Sequence, residues 1–139
     1  SSDRTVRLWD VSKQAEVAAF RKHAAPVLTA EFLPSGTKTI SEWISDATFT
    51  QVPYAPVSGG GKSETGFSEI YATIRDGIIE EVNALAQASA YTELFVTGHS
   101  LGAALATLAA PDLARATRFT SPVLYNFASP RSGDPVFAA

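Results

Sequence analysis

The residues in this sequence that are best suited to catalysis lie in the run Gly98–Gly102, which spells Gly-His-Ser-Leu-Gly. An apolar run precedes it, and leucines and alanines at helical spacing follow it, so the sequence predicts a strand, a tight turn and a helix. In such an arrangement the serine lies at a strained corner, and glycines two residues on either side avoid collisions there. The N–H of Leu101 and the helix N-terminus then face the space where an oxyanion would form. The pattern favours Ser100 as a nucleophile in acyl transfer, and a glycine-flanked turn without chemistry is the alternative.

A serine nucleophile needs a base, nearly always a histidine that a carboxylate orients. The chain has two histidines. His99 is adjacent to Ser100, where neighbouring side chains diverge, and for His23 we favour a hydrogen-bonded structural role. The carboxylates after the serine are Asp112 and Asp134, and no histidine follows it. We therefore identify no triad Asp or His in this chain.

Other elements must position this serine. Apolar residues recur at helical spacing from Phe67 to Leu85 and predict a buried stripe on a helix of about five turns. The run Val123–Phe127 predicts a strand after the serine-bearing helix. Pro111 lies within that helix, and we expect it to kink or end the helix. Strand, helix and strand with short connections form a parallel crossover, so the sequence predicts an α/β fold with helices beside a parallel sheet.

Composition limits the classes of function. The chain has 139 residues with 45% hydrophobic content, which suits one small domain. Its net charge of −3, without blocks of like charge, indicates neither nucleic-acid binding nor polybasic membrane attachment. The absence of cysteine excludes disulfides and thiolate metal sites. No apolar run approaches the ~20 residues of a membrane span, and no signal-peptide core is visible near the N-terminus.

The first 36 residues form a distinct segment. Residues Asp3–Asp10 alternate polar and apolar side chains and end in Trp-Asp, which resembles the closing strands of a WD40 propeller blade. His23, Val27 and Phe32 fall where the next blade has its usual residues. A propeller needs several complete blades, so we expect a WD40-like β fragment, not a complete propeller. A generic β-hairpin is the alternative.

The remainder resembles the class 3 (fungal-type) triacylglycerol lipases. Four motifs occur in the family's order, namely the runs Gly36–Phe49, Gly66–Tyr71, Gly98–Gly102 and Asn126–Ala138. The resemblance covers residues 36–139, about three quarters of the chain. It implies a partial α/β-hydrolase, residues 37–139, truncated at its C-terminus. The implied reaction is cleavage of carboxylic esters, notably acylglycerols, through an acyl-enzyme, without a metal or other cofactor.

The resemblance also implies roles for residues ahead of the turn Gly98–Gly102, which we call the elbow. Thr37 would form the oxyanion hole together with Leu101, although it also suits a helix N-cap. A lid over the substrate cleft would contain Ile40, Trp43 and Ile44 and would open at a transient lipid interface. The same spacing fits an ordinary amphipathic helix packed permanently on the core, so both interpretations stay open.

Several positions depart from the family pattern. Ser35 replaces the arginine before the oxyanion Gly-Thr, Glu64 replaces a histidine, and Ala103 replaces a second glycine after the elbow. With Asp and His also missing, we expect the isolated chain to be nearly inactive. The alternative function is a catalytically dead fusion fragment that binds a protein partner through its WD40-like strands. Localisation stays open, because class 3 lipases are often secreted whereas WD40 proteins are mostly intracellular.

Overall fold

The structure is a computed structural model that describes residues 5–10, 15–21, 27–32, 50–88 and 90–139. The strands in these ranges are β1 (Thr5–Asp10), β2 (Ala15–Arg21), β3 (Val27–Phe32), β4 (Gln51–Pro53), β5 (Lys62–Glu64), β6 (Glu93–His99) and β7 (Val123–Phe127). The helices are α1 (Thr65–Ala88) and α2 (Leu101–Ala116). Residues predicted to act before the elbow, namely Thr37, Ile40, Trp43 and Ile44, lie outside the described ranges, as does His23.

A three-stranded parallel sheet carries Ser100. Its order is β3, β6, β7, so the strand that leads to the serine is central. β6 connects to its parallel neighbour β7 through α2, which confirms the predicted parallel crossover and the α/β class. In the register, Leu28 pairs with Leu94, and Val96 pairs with Leu124.

The core lies on the side of the sheet that α2 covers. Side chains alternate between the two faces of a strand, and in β6 it is Leu94, Val96 and Gly98 that are buried. One cluster joins these leucine and valine side chains to the buried face of α2 and to part of α1. The largest fully buried side chains are Leu94, Leu108, Leu113, Val96, Asp112 and Ser63.

The opposite face of the sheet is much more exposed. Val123, Tyr125 and Phe127 of β7 are exposed there, and the rings of Phe95 and Tyr125 stack with 6.0 Å between their centroids. All-parallel sheets occur almost only with both faces covered. The three described strands therefore combine one buried face with one that presents aromatic side chains to solvent.

Helix α1 forms where the apolar periodicity predicts it. Phe67, Tyr71 and Val82 are buried on α2, whereas Ile74 is 38% exposed and lies at the margin of the stripe. The buried Glu64 caps the helix, because its carboxylate accepts a hydrogen bond from the Phe67 N–H at 2.8 Å. Neither α1 nor α2, the helices of the described residues, is long and apolar enough to cross a membrane.

Helix α2 corrects one expectation. We expected Pro111 to kink or end this helix; it lies inside the helix, which continues to Ala116, so the expected ending is wrong, and the kink stays a prediction. Proline removes one N–H from the ladder, which leaves the carbonyl four residues earlier without that donor. That carbonyl belongs to Thr107, and two side chains from outside the helix contact its neighbouring groups: Tyr54 donates to the carbonyl of Leu108, and Asn126 donates to the Thr107 hydroxyl at 2.6 Å.

The N-terminal segment divides between two sheets. β1 and β2 form an antiparallel hairpin with a register shift between Leu8 and Trp9. β3, which the sequence prediction counted with the N-terminal fragment, pairs in parallel with β6 and belongs to the sheet that carries Ser100. The WD40-like character of residues 1–36 and the boundary at residue 36 stay predictions.

Candidate active site

Ser100 occupies the corner between β6 and α2. Its backbone has φ 55° and ψ −119°, a conformation that side-chain-bearing residues rarely adopt. Such a backbone costs on the order of 1–3 kcal/mol and persists only where surrounding structure enforces it. The Ser100 N–H donates to the Phe127 carbonyl at 2.9 Å, and its carbonyl accepts from the N–H groups of Ala103 and Ala104. The corner is thus fixed by the neighbouring strand and by the first turn of the helix.

Gly98 lets the strand and the helix meet at this corner. A Cβ at Gly98 would lie 2.2 Å from the Gly102 carbonyl oxygen and 2.7 Å from the Ala103 nitrogen. These are backbone atoms, so no side-chain movement could relieve the overlap. The steric reason for the first glycine of the pattern is therefore visible in the structure.

The first turn of α2 offers hydrogen-bond donors beside the serine. The first N–H groups of a helix have no intrahelical acceptor, and the helix dipole places partial positive charge there. Leu101 is the first residue of α2 and directly follows Ser100. Its N–H can thus stabilise negative charge on an oxygen bound next to the serine.

The structure does not bring His99 and Ser100 together. His99 ends β6 on the exposed face of the sheet, whereas Ser100 is only 6% exposed. Alternation along β6 places His99 on the same exposed face as Phe95 and Thr97, opposite the buried Leu94, Val96 and Gly98. Glu31 pairs with Thr97, and Thr97 precedes Ser100 by three residues, so Glu31 lies about 10 Å from Ser100 along the strand direction. This separation exceeds hydrogen-bond distance. Burial raises the pKa of Glu31.

Asp112 is engaged elsewhere. It is 1% exposed, and its Oδ2 accepts from the Arg75 Nε at 2.6 Å and the Tyr71 hydroxyl at 2.9 Å. Its Oδ1 accepts from the Arg75 Nη2 at 2.9 Å. Twelve residues of helix separate it from Ser100, about 18 Å at 1.5 Å per residue. Asp112 therefore joins α2 to α1 and cannot orient a base at the serine.

The electrostatics of this cluster follow from burial and from the Asp112 charge. Burial and the nearby carboxylate raise the pKa values of Tyr71 and Tyr54 above the ordinary value for tyrosine. The hydrogen bond from Arg75 to Asp112 raises the pKa of the guanidinium. Arg75 also pairs with the exposed Asp76 at 3.0 Å. The cluster thus holds one carboxylate, one guanidinium and neutral phenols.

Asp134 stabilises a turn. Its Oδ1 accepts from the N–H groups of Lys62 at 3.1 Å and Phe137 at 2.8 Å, and these bonds lower its pKa. A Cβ at Gly61 would lie 2.5 Å from the same oxygen, so this close approach requires glycine. Asp134 therefore connects the β4–β5 hairpin to the chain after β7.

Sequence reasoning did not identify Tyr54 and Arg75, and it assigned Tyr71 to the apolar core. A weak signal was available, since Tyr71 and Arg75 are four residues apart and share a helix face. Their partner lies about 40 residues later, and sequence spacing does not reveal that contact. Among the described residues, no cluster of three or more His, Asp and Glu side chains could hold a metal ion.

Comparisons with known proteins agree on one family for this chain. The model of the family "Lipase (class 3)" matches residues 32–139. The secreted mono- and diacylglycerol lipase A of Penicillium cyclopium is 41% identical over 103 residues, which cover 74% of this chain and 33% of that protein. Phospholipase A1-II 7 of Oryza sativa subsp. indica is 35% identical over 136 residues, covering 75% of this chain and 33% of that protein.

Solved structures agree with this result. The native Rhizomucor miehei lipase propeptide complex superposes with a TM-score of 0.65 at 37% identity, covering 79% of this chain and 36% of that one. The fold is therefore a partial α/β-hydrolase, as the sequence predicted. The chain spans about a third of the length of these relatives.

Proposed function

Because the chain belongs to the class 3 lipase family, we propose that Ser100 is the nucleophile of a lipase or esterase that cleaves carboxylic esters through an acyl-enzyme. The observation that carries the proposal is the positive φ of a serine held between the central strand and a helix N-terminus. A strained serine at a strand-to-helix turn is the geometry that acyl transfer in α/β-hydrolases uses.

The proposed reaction has two halves. The Oγ of Ser100 attacks the ester carbonyl and forms a C–O bond, and the alcohol leaves with a proton when the tetrahedral intermediate collapses. Water then attacks the acyl-serine, releases the carboxylic acid and returns the hydroxyl. The Leu101 N–H, the dipole of α2 and Thr37 form the oxyanion hole in this proposal.

Proton transfer limits the isolated chain. Both carboxylates that follow the serine are engaged in structural contacts, and His99 lies on the exposed face of the sheet. With no base identified among the described residues, oxyanion stabilisation and binding remain, which leaves a rate several powers of ten below a complete triad. We therefore expect slow ester cleavage from this chain by itself.

The substrates that we propose are acylglycerols at a lipid interface. Support comes from the relatives, one of which is named a mono- and diacylglycerol lipase and another a phospholipase A1. The lid that we propose contains Ile40, Trp43 and Ile44, and it would uncover the cleft when it meets lipid.

The test compares p-nitrophenyl butyrate hydrolysis by the chain and by its Ser100→Ala variant, both shown to be folded by circular dichroism. The exposed Ser129 provides a matched control as Ser129→Ala. The proposal requires Ser100→Ala to hydrolyse the ester more slowly than the parent chain, while Ser129→Ala keeps the activity of the parent chain. Equal rates for the parent chain and Ser100→Ala would refute it.

A second candidate function rests on the antiparallel pairing of β1 and β2. In this proposal the hairpin is a WD40-like strand pair that completes the propeller of a protein partner. Deleting residues 1–26 would then abolish binding to a propeller that lacks a blade without changing ester cleavage. If the deletion leaves binding unchanged, the candidate fails.

A further inference from the structure

Two residues that carry a side chain have a positive φ in the described part of the chain, Ser100 at 55° and Ala128 at 51°. They are distant in sequence, yet one hydrogen bond connects them in space. The Ser100 N–H donates at 2.9 Å to the carbonyl of Phe127, the residue directly before Ala128. Alanine has no polar side chain that could profit from such a backbone, so the positive φ of Ala128 persists because the surrounding structure enforces it.

The peptide unit between Phe127 and Ala128 explains how the two positions are linked. A peptide unit is planar, so the carbonyl of Phe127 turns together with the N–H of Ala128. If φ of Ala128 changed to the negative value that alanine prefers, either this unit would rotate or the chain after Ala128 would change direction. Rotation of the unit would turn the Phe127 carbonyl away from Ser100.

Contacts on both sides of Ala128 hold the chain in place. Before it, β7 pairs with β6, and the Asn126 side chain donates to the Thr107 hydroxyl of α2 at 2.6 Å. After it, the Ser132 carbonyl accepts from the Glu64 N–H at 2.9 Å, which ties this part of the chain to β5. These anchors oppose a change in chain direction, so relief of the strain at Ala128 would come from rotation of the peptide unit before it.

We propose that Ala128 is a positioning residue for Ser100: its positive φ keeps the Phe127 carbonyl in place, and this carbonyl holds the backbone of the serine. The consequence for catalysis rests on the function proposed above, in which Ser100 is the nucleophile. A shift of about 1 Å in a reacting group can reduce a rate severely, even when the altered residue is distant from the chemistry. Ala128 acts through the serine backbone and not on the substrate.

Hydrogen exchange of the Ser100 N–H, followed by NMR on the full chain, tests the proposal. Ala128→Val disfavours a positive φ, so this exchange should become at least about fivefold faster. Ala128→Asn also adds a side chain, but asparagine tolerates a positive φ, so its exchange should stay near that of the parent chain. Each rate is divided by that of the buried Val96 N–H in β6, because a change in overall stability acts on both rates.

Ester cleavage gives a second measure of the position of the serine. After subtraction of the Ser100→Ala rate, Ala128→Val should lower kcat for p-nitrophenyl butyrate severalfold and leave KM nearly unchanged, because only the nucleophile moves. The matched control Ser129→Val adds the same side chain at the next residue. That residue precedes a proline and favours the extended backbone that valine also prefers, so the control should match the parent chain in both measurements.

Circular dichroism verifies the folding of each variant. If Ala128→Val does not fold, Ala128→Leu replaces it, with a smaller expected increase in exchange. An exchange ratio that is unchanged in the valine variant, or raised equally in the asparagine variant, would overturn the proposal, as would a loss of activity confined to KM. Failure of the proposed function would appear differently, as equal ester cleavage by the parent chain and Ser100→Ala, and the exchange ratios would still test the position of the serine.

Discussion

Helix α2 has a polar residue near each end, and the two residues differ in how well their side chains are hydrogen-bonded. At the N-terminal end, Ser100 has a strained backbone, and its hydroxyl has no catalytic base within reach among the described residues. Toward the C-terminal end, Asp112 is buried with both carboxylate oxygens hydrogen-bonded to Arg75 and Tyr71. The N-terminal end therefore combines a strained backbone with helix N–H groups that have no intrahelical acceptor. At the other end, hydrogen bonds stabilise the buried carboxylate.

This difference separates chemistry from stability along one helix. A reactive corner needs groups that are not already paired, and it costs free energy that other contacts must offset. The Asp112 cluster supplies such contacts, because it connects α2 to α1 beyond Pro111. We infer that changes near Asp112 act on folding, whereas changes at Ser100 act on reactivity.

The largest change in stability is expected at Gly98, where backbone atoms leave no room for a side chain. Gly98→Ala places a Cβ against the backbone of Gly102, so we expect a loss of about 3 kcal/mol or more in the free energy of unfolding. The matched control is Gly77→Ala in α1, where a Cβ meets nothing within 4 Å. That variant should gain up to about 1 kcal/mol from helix propensity. Urea titration measures both, and similar values for the two variants would contradict the steric account.

Removal of the buried carboxylate should have the next largest effect. Asp112→Ala leaves Arg75 and Tyr71 without their acceptor, and we expect a loss of about 2–3 kcal/mol, reduced from the usual range because Arg75 is partly exposed. Asp76→Ala removes only the exposed partner of Arg75 and should cost at most about 0.5 kcal/mol. Equal urea midpoints for the two variants would show that the buried pair does not stabilise the helix contact.

The strain at the elbow predicts a smaller change of opposite sign. Ser100→Gly should raise the free energy of unfolding by about 1 kcal/mol, because glycine adopts positive φ without a Cβ penalty. Thermal unfolding measures the gain, and Ser100→Ala, which keeps the Cβ, is the control. If Ser100→Gly were no more stable than Ser100→Ala, the positive φ at this position would not destabilise the folded chain.

The buried tyrosines predict the smallest effect, a loss of stability in alkali. The pKa values of Tyr54 and Tyr71 are raised in the folded chain, so folding favours their protonated forms. Their contribution is complete below the ordinary tyrosine pKa of about 10 and declines above it, because only the unfolded chain then releases the protons. Urea midpoints between neutral and alkaline pH should fall less steeply in the double variant Tyr54→Phe/Tyr71→Phe. An unchanged slope would contradict the assignment.

Local signals predicted much of the fold. The apolar stripe from Phe67 to Leu85 predicted α1, and the glycines around Ser100 predicted a turn whose steric reason appears at Gly98. These features depend on residues close in sequence, so periodicity and spacing reveal them.

Contacts between distant residues were not predictable in this way. The pairing of β3 with β6 joins residues more than 60 positions apart, and Arg75 meets Asp112 across 37 positions. The helix continues past Pro111 where Tyr54 and Asn126 contact it, and neither contact has a sequence signature. The roles of Thr37, Ile40, Trp43 and Ile44 stay predictions.

The most direct measurement of the central claim is the site of acylation. The chain would be incubated with p-nitrophenyl butyrate, digested, and analysed by mass spectrometry, with Ser100→Ala and Ser129→Ala treated in parallel. We expect one butyryl group on the peptide that contains Ser100, retained in Ser129→Ala and lost in Ser100→Ala. Butyryl groups spread over exposed serines and lysines, with no preference for Ser100, would contradict the assignment of this serine as the nucleophile.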